Sequence, residues 1–291
     1  MKLEPFELQT SQLKIAGLRN QVAEGVPIIA LHGWLDNAAS FLPMSGYLQI
    51  DRPFYAIDLP GHGLSQHRPD SCSYHLLDNI VDVLAFLDAL QKQAGLEQGC
   101  RKVTLVGHSL GGIIASLVAA SVPECVDQLI LLDSMGPLTD EIEVVLPQLR
   151  KAVSKALNLS SNITVYPDLD LAIRARMSGI GKLSRDAAAC LVERGIKEVD
   201  GGFSWQSDPK LLKPSFLRLS ESQVEAIFAG IECAVKLLTG SNGYFSNPQA
   251  LQKRIGYFKN IEHRSVQGGH HFHMDGDVEG TARYVNEFCK V

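Results

Sequence analysis

The stretch Lys102-Val103-Thr104-Leu105-Val106-Gly107-His108-Ser109-Leu110-Gly111-Gly112 decides how this chain is read. Its first half is an apolar run of the kind that forms a buried strand. Beyond Gly-His-Ser-Leu-Gly the chain continues as Ile113-Ile114-Ala115-Ser116-Leu117-Val118-Ala119-Ala120, which reads as a buried helix. A serine at a sharp strand-to-helix turn sits in a strained backbone conformation and needs small neighbours, and Gly107 and Gly111 supply them. The helix that starts there points unpaired N–H groups and the positive end of its dipole at the same spot. Ser109 is therefore the candidate nucleophile, and the other candidate residues are sought relative to it.

Working outward, Phe6 to Asn20 alternates in polarity and predicts a hairpin at a sheet edge. Val26 to Leu31 is a continuous apolar run, as expected for a strand buried on both faces, and it ends in His32-Gly33-Trp34. A second strand, Phe54 to Ile57, runs into Asp58-Leu59-Pro60-Gly61-His62-Gly63. An amphipathic helix is predicted over about Leu76 to Lys92, with Leu77, Ile80, Val81, Leu84, Leu87 and Leu90 on its apolar face. After the Ser109 turn, Gln128 to Leu132 is a further strand, ending in Asp133. Strands alternating with helices imply a parallel sheet covered on both faces.

From Pro137 to Ala226 the rhythm changes. Ile142 to Leu157, Asp168 to Ser178 and Ser184 to Glu193 read as helices, and no strand is expected among them. The predicted organisation is an α/β core over 1–136 and 227–291, interrupted by a helical insertion over 137–226. The sheet resumes with Cys233 to Gly240. A helix over Pro248 to Phe258, a short strand around His263 to Val266, the run Gly268-Gly269-His270-His271-Phe272-His273-Met274-Asp275 and a last helix, Val278 to Phe288, complete the chain.

At 291 residues, one large domain with an insertion is the natural organisation. A net charge of −5 argues against nucleic acid, which calls for a basic surface. Six cysteines lie far apart with no Cys-x-x-Cys pair, so free thiols in a reducing compartment are expected. With no apolar signal core at the N-terminus and no long apolar window, the expectation is a cytoplasmic protein with no membrane partner. The pattern carries no signal for oligomeric state.

A serine nucleophile needs a base. His270 follows Gly268-Gly269 in the loop after the final strand, and a parallel sheet brings that loop to the edge where Ser109, Trp34 and Asp133 emerge. His271 and His273 are read as packing groups. The His-His-x-His run beside Asp275 lacks a supporting ligand cluster, so no metal is expected. Two backbone N–H groups, of Leu110 at the turn and of Trp34 after His32-Gly33, are placed to bind an oxyanion. Asp58 and its Pro-Gly-His-Gly turn read as structural. Asp36, Asn37 and, in the insertion, Arg174, Arg176, Trp205 and Arg218 are candidates for touching substrate but read first as exposed surface groups.

Taken together, His32-Gly33-Trp34, Asp58-x-Pro-Gly-His-Gly-x-Ser65, Gly107-His-Ser-Leu-Gly-Gly112 and Gly269-His270 resemble the signature set of the α/β-hydrolase superfamily, in that family's chain order. Leu191 to Gly195, Val199 to Phe203, Ser207 to Lys210 and Leu217 to Ser220 are similar to stretches of its serine hydrolase-like proteins. The resemblance implies a helical cap over 137–226 and hydrolysis of a small acyl compound, an ester or thioester, through an acyl-enzyme on Ser109 without a cofactor. The family's usual acid follows the strand resumed at Cys233, where this chain has Ser241-Asn242-Gly243-Tyr244-Phe245 and no carboxylate. Some members place the acid one strand earlier, which points to Asp133, with Asn242 as the uncharged alternative. The same scaffold also serves cofactor-free C–C hydrolases, lyases and haloperoxidases, and binding proteins that have lost catalysis.

Overall fold

Apolar runs too short for helices and bounded by Gly, Pro and Asp form the centre of the molecule. The structure, a computed structural model, describes residues 1–95, 102–157, 163–245 and 248–289. In chain order its elements begin with β1 (Glu4–Gln9), β2 (Lys14–Arg19), β3 (Ile28–Leu31), α1 (Leu42–Ser45), β4 (Phe54–Ile57) and α2 (Asp78–Gln93). There follow β5 (Val103–His108), α3 (Leu110–Ser121), β6 (Val126–Leu132), α4 (Ile142–Leu157), α5 (Leu169–Met177), α6 (Arg185–Gly195), β7 (Ile196–Val199) and β8 (Gly202–Trp205). The chain then runs through α7 (Glu221–Ala229), β9 (Ala234–Asn242), α8 (Pro248–Ile255), β10 (Ile261–Gly269) and α9 (Val278–Cys289).

Eight strands make one sheet in the order β1-β2-β4-β3-β5-β6-β9-β10. The hairpin β1–β2 is antiparallel at one edge and joins β4 antiparallel; every other pair is parallel. Side chains of a strand alternate between faces, and the core follows that rule. Ile29, Leu31, Leu129 and Leu131 pack with Phe86, Ile114 and Val118 on one face. Their neighbours Ile28, Ala30, Ile130 and Leu132 pack with Phe41, Phe272 and Val285 on the other. The register sets the site. Leu31 pairs with Gly107, His108 with Leu132, and Leu132 with Leu238, so the residues after these strands leave one edge together.

The structure departs from the sequence reading in several places. Residues 196–205 carry a two-stranded antiparallel hairpin, β7–β8, where no strand was expected. Each strand is only four residues long, so neither has the apolar run that marks a sheet strand, and β8 is further bridged through Phe203 to Tyr166. Val224 and Phe228 of α7 are buried against the same core as Leu129. The layer packed on the sheet thus resumes at the Ser220 capping box. On α2 the expected Ile80, Leu84, Leu87 and Leu90 pack against the core together with the buried Val83 and Phe86, while Val81, and Leu77 just before the helix, are exposed.

The cysteines are a further difference. Cys125 is disulfide-bonded, so the expectation of six free thiols fails there. Cys72, Cys190, Cys233 and Cys289 are free, and Cys100 lies outside the described residues. Among the described residues, no helix is long and apolar enough to cross a membrane.

Candidate active site

The turn at Ser109 has the strain that its sequence implies. Ser109 sits at φ 49°, ψ −115° as the residue before α3, a conformation that side-chain-bearing residues rarely adopt. It is held by its own N–H on Leu132 O at 3.1 Å and by Ser134 Oγ, which donates to Ser109 O at 2.6 Å. The glycines are required by contact: a Cβ at Gly111 would lie 2.0 Å from Leu31 O, and one at Gly107 would lie 2.4 Å from the Gly112 Cα. Any larger residue at either position would push the helix off the strand.

His270 follows β10 at the same edge and is buried. Its Nδ1 lies 2.6 Å from Asp133 Oδ2. A carboxylate oxygen only accepts, so Nδ1 carries the proton and Nε2 keeps a lone pair. Asp133, directly after β6, is itself strained at φ 43°. Its Oδ1 accepts the Gly240 N–H at 3.1 Å and its Oδ2 the Tyr244 N–H at 3.0 Å. Residue 243 must be small, because a Cβ there would come within 2.4 Å of Asp133 Oδ1. Asn242, the other candidate for this position, ends β9 with an exposed side chain. The loop that lacks a carboxylate thus supplies the donors that hold one from the neighbouring strand. Tyr244 adds its ring, stacked on the His270 imidazole at 3.9 Å between centroids and 27° between planes. Burial, and then the Asp133 charge, raise its phenol above the usual tyrosine range. Sequence reasoning passed over Tyr244, whose only signal was its place in the loop where an acid was missing.

The Leu110 N–H opens the first turn of α3, where helix geometry offers no intrahelical acceptor. The Trp34 N–H lies in the turn closed by Asp36 N–H to Gly33 O at 3.1 Å. The Trp34 ring is part exposed, and its Nε1 donates to Leu211 O at 3.1 Å, which ties the β3 loop to the segment between β8 and α7.

Residues 28–283 match the family described as the alpha/beta hydrolase family. The chain belongs to that family. Within it the chain falls in the serine hydrolase-like subgroup. It is 30% identical over 287 residues to the serine hydrolase-like protein of Danio rerio, covering 94% of this chain and 85% of that one. Serine hydrolase-like protein 2 of Homo sapiens is 29% identical over 306 residues, covering 96% and 94%. Among solved structures, a hypothetical protein of Pseudomonas aeruginosa PAO1 superposes with a TM-score of 0.87 at 34% identity, covering 98% of this chain and 97% of that one.

Two further polar clusters in this hydrolase border the site. Asp58, fully buried, accepts from the Ala38 and Leu64 N–H groups and receives Arg194 through Nε and Nη2, locking the end of α6 to the loops after β3 and β4. Asp36 takes Arg176 Nη2 on Oδ1 at 2.6 Å and lies 3.1 Å from His271 Nε2 through Oδ2. Arg176 was expected among the surface charges of the insertion; it is nearly buried, because the Asp36 carboxylate draws it inward. Arg174, two residues before it, does stay exposed and pairs with Asp170, and Arg218 pairs with Asp140. Burial alone would raise the Asp36 carboxyl, but His271 and the Arg176 guanidinium hold it well below the usual range. Burial keeps His108 far below the ordinary imidazole value and His62 and His273 down to about 3, so all three are neutral rings. Asp36, read from the sequence as an exposed group, is buried, because partners from positions 108, 176 and 271 close around it.

Proposed function

We propose that this hydrolase cleaves a small ester, thioester or related acyl compound through an acyl-enzyme on Ser109. Ser109 Oγ attacks the carbonyl carbon while His270 Nε2 takes its proton. The resulting imidazolium is stabilised by Asp133, whose carboxylate already accepts the Nδ1 proton. The Trp34 and Leu110 N–H groups hold the oxyanion, an interaction worth roughly 3–4 kcal/mol per donor in the transition state. His270 returns the proton to the leaving group, a water then attacks the acyl-enzyme with His270 as base, and Ser109 is regenerated. Every proton is accounted for by this one imidazole.

The observation that carries this reading is the coincidence of two strained residues, Ser109 and Asp133, on adjacent strands β5 and β6, with His270 hydrogen-bonded to the second. Strain of this kind persists only where the surroundings enforce it, and here both strained residues carry groups the chemistry needs. The segment between β6 and α7 acts in this reading as the cap. It contacts the β3 loop through Leu211, Leu191 and Arg176, and these contacts support a role in choosing the acyl group.

The test is turnover of p-nitrophenyl esters of graded acyl length, together with labelling by a fluorophosphonate probe. Wild type turns over and is labelled, and Ser109→Ala does neither while keeping its fold. Turnover retained in Ser109→Ala overturns the reading.

A further inference from the structure

Asp36, His108 and His271 belong to three separate loops or strands and are all buried. The proposed reaction uses none of them. Asp36 Oδ2 lies 3.1 Å from His271 Nε2 and 3.8 Å from His108 Nδ1, and the three potential ligand atoms fall within 4.8 Å of one another. The hydrogen bonds around them fix which ring nitrogens carry protons. His108 Nε2 lies 3.0 Å from the His270 carbonyl oxygen, and His271 Nδ1 lies 3.2 Å from that of Gly181. A carbonyl only accepts, so each of these nitrogens is the N–H of its ring. The other nitrogen of each ring, Nδ1 of His108 and Nε2 of His271, therefore turns toward Asp36.

For His271 the Arg176 guanidinium meets the nitrogen, donating from Nη2 to Nε2 at 3.4 Å. For His108 nothing does. Its Nδ1 is buried without a hydrogen-bond partner among the described residues. An unprotonated nitrogen facing a carboxylate oxygen at 3.8 Å is too far for a hydrogen bond, and two lone pairs meet across the gap. Gly33 bounds the same space. A Cβ there would lie 2.9 Å from His108 Nδ1 and 3.0 Å from Asp36 Oδ2, so only glycine keeps the position between them free of side-chain atoms.

We propose that Asp36, His108 and His271 form a site for one transition-metal dication of the zinc class. A tetrahedral ion with ligands at about 2.0–2.1 Å holds them roughly 3.3–3.5 Å apart, and the two measured separations bracket that value. Two imidazoles and one carboxylate favour zinc, cobalt, nickel or copper over calcium or magnesium, which prefer oxygen. Both histidines already donate their remaining N–H to a main-chain carbonyl, the outer contact that orients a metal-bound imidazole. Asp36 spends Oδ1 on Arg176 and keeps Oδ2 for the ion. Binding displaces any Nε2 proton of His271 and supplies the positive charge that the His108 lone pair lacks. Arg176 opposes it, since its Nη2 stands 3.4 Å from His271 Nε2. His273 lies beside His108 but is not one of the ligand group.

Cobalt(II) is the probe, because its visible bands report coordination while zinc is silent. Chelator-treated wild type is expected to bind one cobalt per chain with the intense bands of a four-coordinate ion, and zinc to displace it. His271→Gln and Asp36→Asn should each weaken binding at least about tenfold, as loss of a metal contact does. Arg176→Gln keeps every ligand and removes the opposing charge, so it should bind roughly tenfold more tightly, the effect of about 1.4 kcal/mol. Bands that stay undiminished in both ligand variants overturn the proposal. So does the absence of saturable binding in wild type, including the case where Arg176→Gln alone binds, because the arginine would then be the native cation of the site. Should a ligand variant fail to fold, unchanged or weaker affinity in Arg176→Gln overturns it equally.

Discussion

His270 and His271 are neighbours in one loop, each against a buried aspartate, and their surroundings differ in kind. Asp133 receives its other two hydrogen bonds from the neutral N–H groups of Gly240 and Tyr244. Its full negative charge is left to face the His270 imidazole, which suits a ring that gains a proton during a reaction. Asp36 is already matched by the Arg176 guanidinium and has the unpartnered Nδ1 of His108 at its other side. That carboxylate joins the β3 loop to α5 and faces nitrogen lone pairs. The same pair of residue types thus yields a proton-handling pair in one place and a cation-holding cluster in the other. The deciding factor is whether the aspartate's remaining donors are neutral or charged.

The largest effect is expected from Ser109→Ala, which should lower kcat on chromogenic esters by on the order of 10⁵-fold or more with an unchanged circular dichroism spectrum. The two aspartates then separate. Asp133→Asn should cost roughly 10⁴-fold in kcat, since an amide at that position favours the wrong His270 tautomer. Asp36→Asn should cost less than about tenfold in kcat but destabilise the fold by about 3 kcal/mol, because it leaves a buried guanidinium without its partner. Steady-state kinetics and urea unfolding on both variants check this, and equal losses of kcat would erase the distinction between the pairs.

Tyr244→Ala removes the ring stacked on His270 and should lower kcat by roughly three- to tenfold, from a contact worth about 0.5–1.5 kcal/mol. A kcat–pH profile that keeps its shape while falling in height would mark a positioning role for the ring. The smallest effect concerns the neutral histidines. An unfolded histidine protonates near pH 6.5, whereas His62 and His273 stay neutral in the fold down to about 3. The unfolded chain therefore binds more protons between those values, and stability falls as pH drops through that window. Each ring contributes a slope of up to about 1.4 kcal/mol per pH unit. His273→Asn should flatten the measured pH dependence of unfolding between pH 4 and 6 by about one proton. An unaltered slope would mean that His273 is not the neutral buried ring described above.

The parallel strands, the Ser109 turn and the edge where the site gathers were legible because each depends on near neighbours in the chain. An apolar run predicts a buried strand wherever it lies, and a glycine two residues before and after a serine allows a tight turn. The hairpin β7–β8, the exposure of Val81 on α2 and the inward pull of Arg176 were not legible. Each is settled by what packs against it. Arg176 reads as a surface cation until Asp36, 140 positions away, is brought beside it.

The sequence by itself determined the order of strands and helices, the nucleophile candidate and its histidine, because local periodicity and backbone sterics act over a few residues. Only the tertiary structure decided which group stands at His270 Nδ1. Asp133 follows β6 and Asn242 ends the neighbouring β9, and the sequence put Asp133 first only through its resemblance to family members with the acid one strand earlier. The physical reason comes from three-dimensional hydrogen bonding. The Gly240 and Tyr244 N–H groups and the gap at Gly243 fit a carboxylate arriving from β6, so the loop that looked deficient is the one built to receive it.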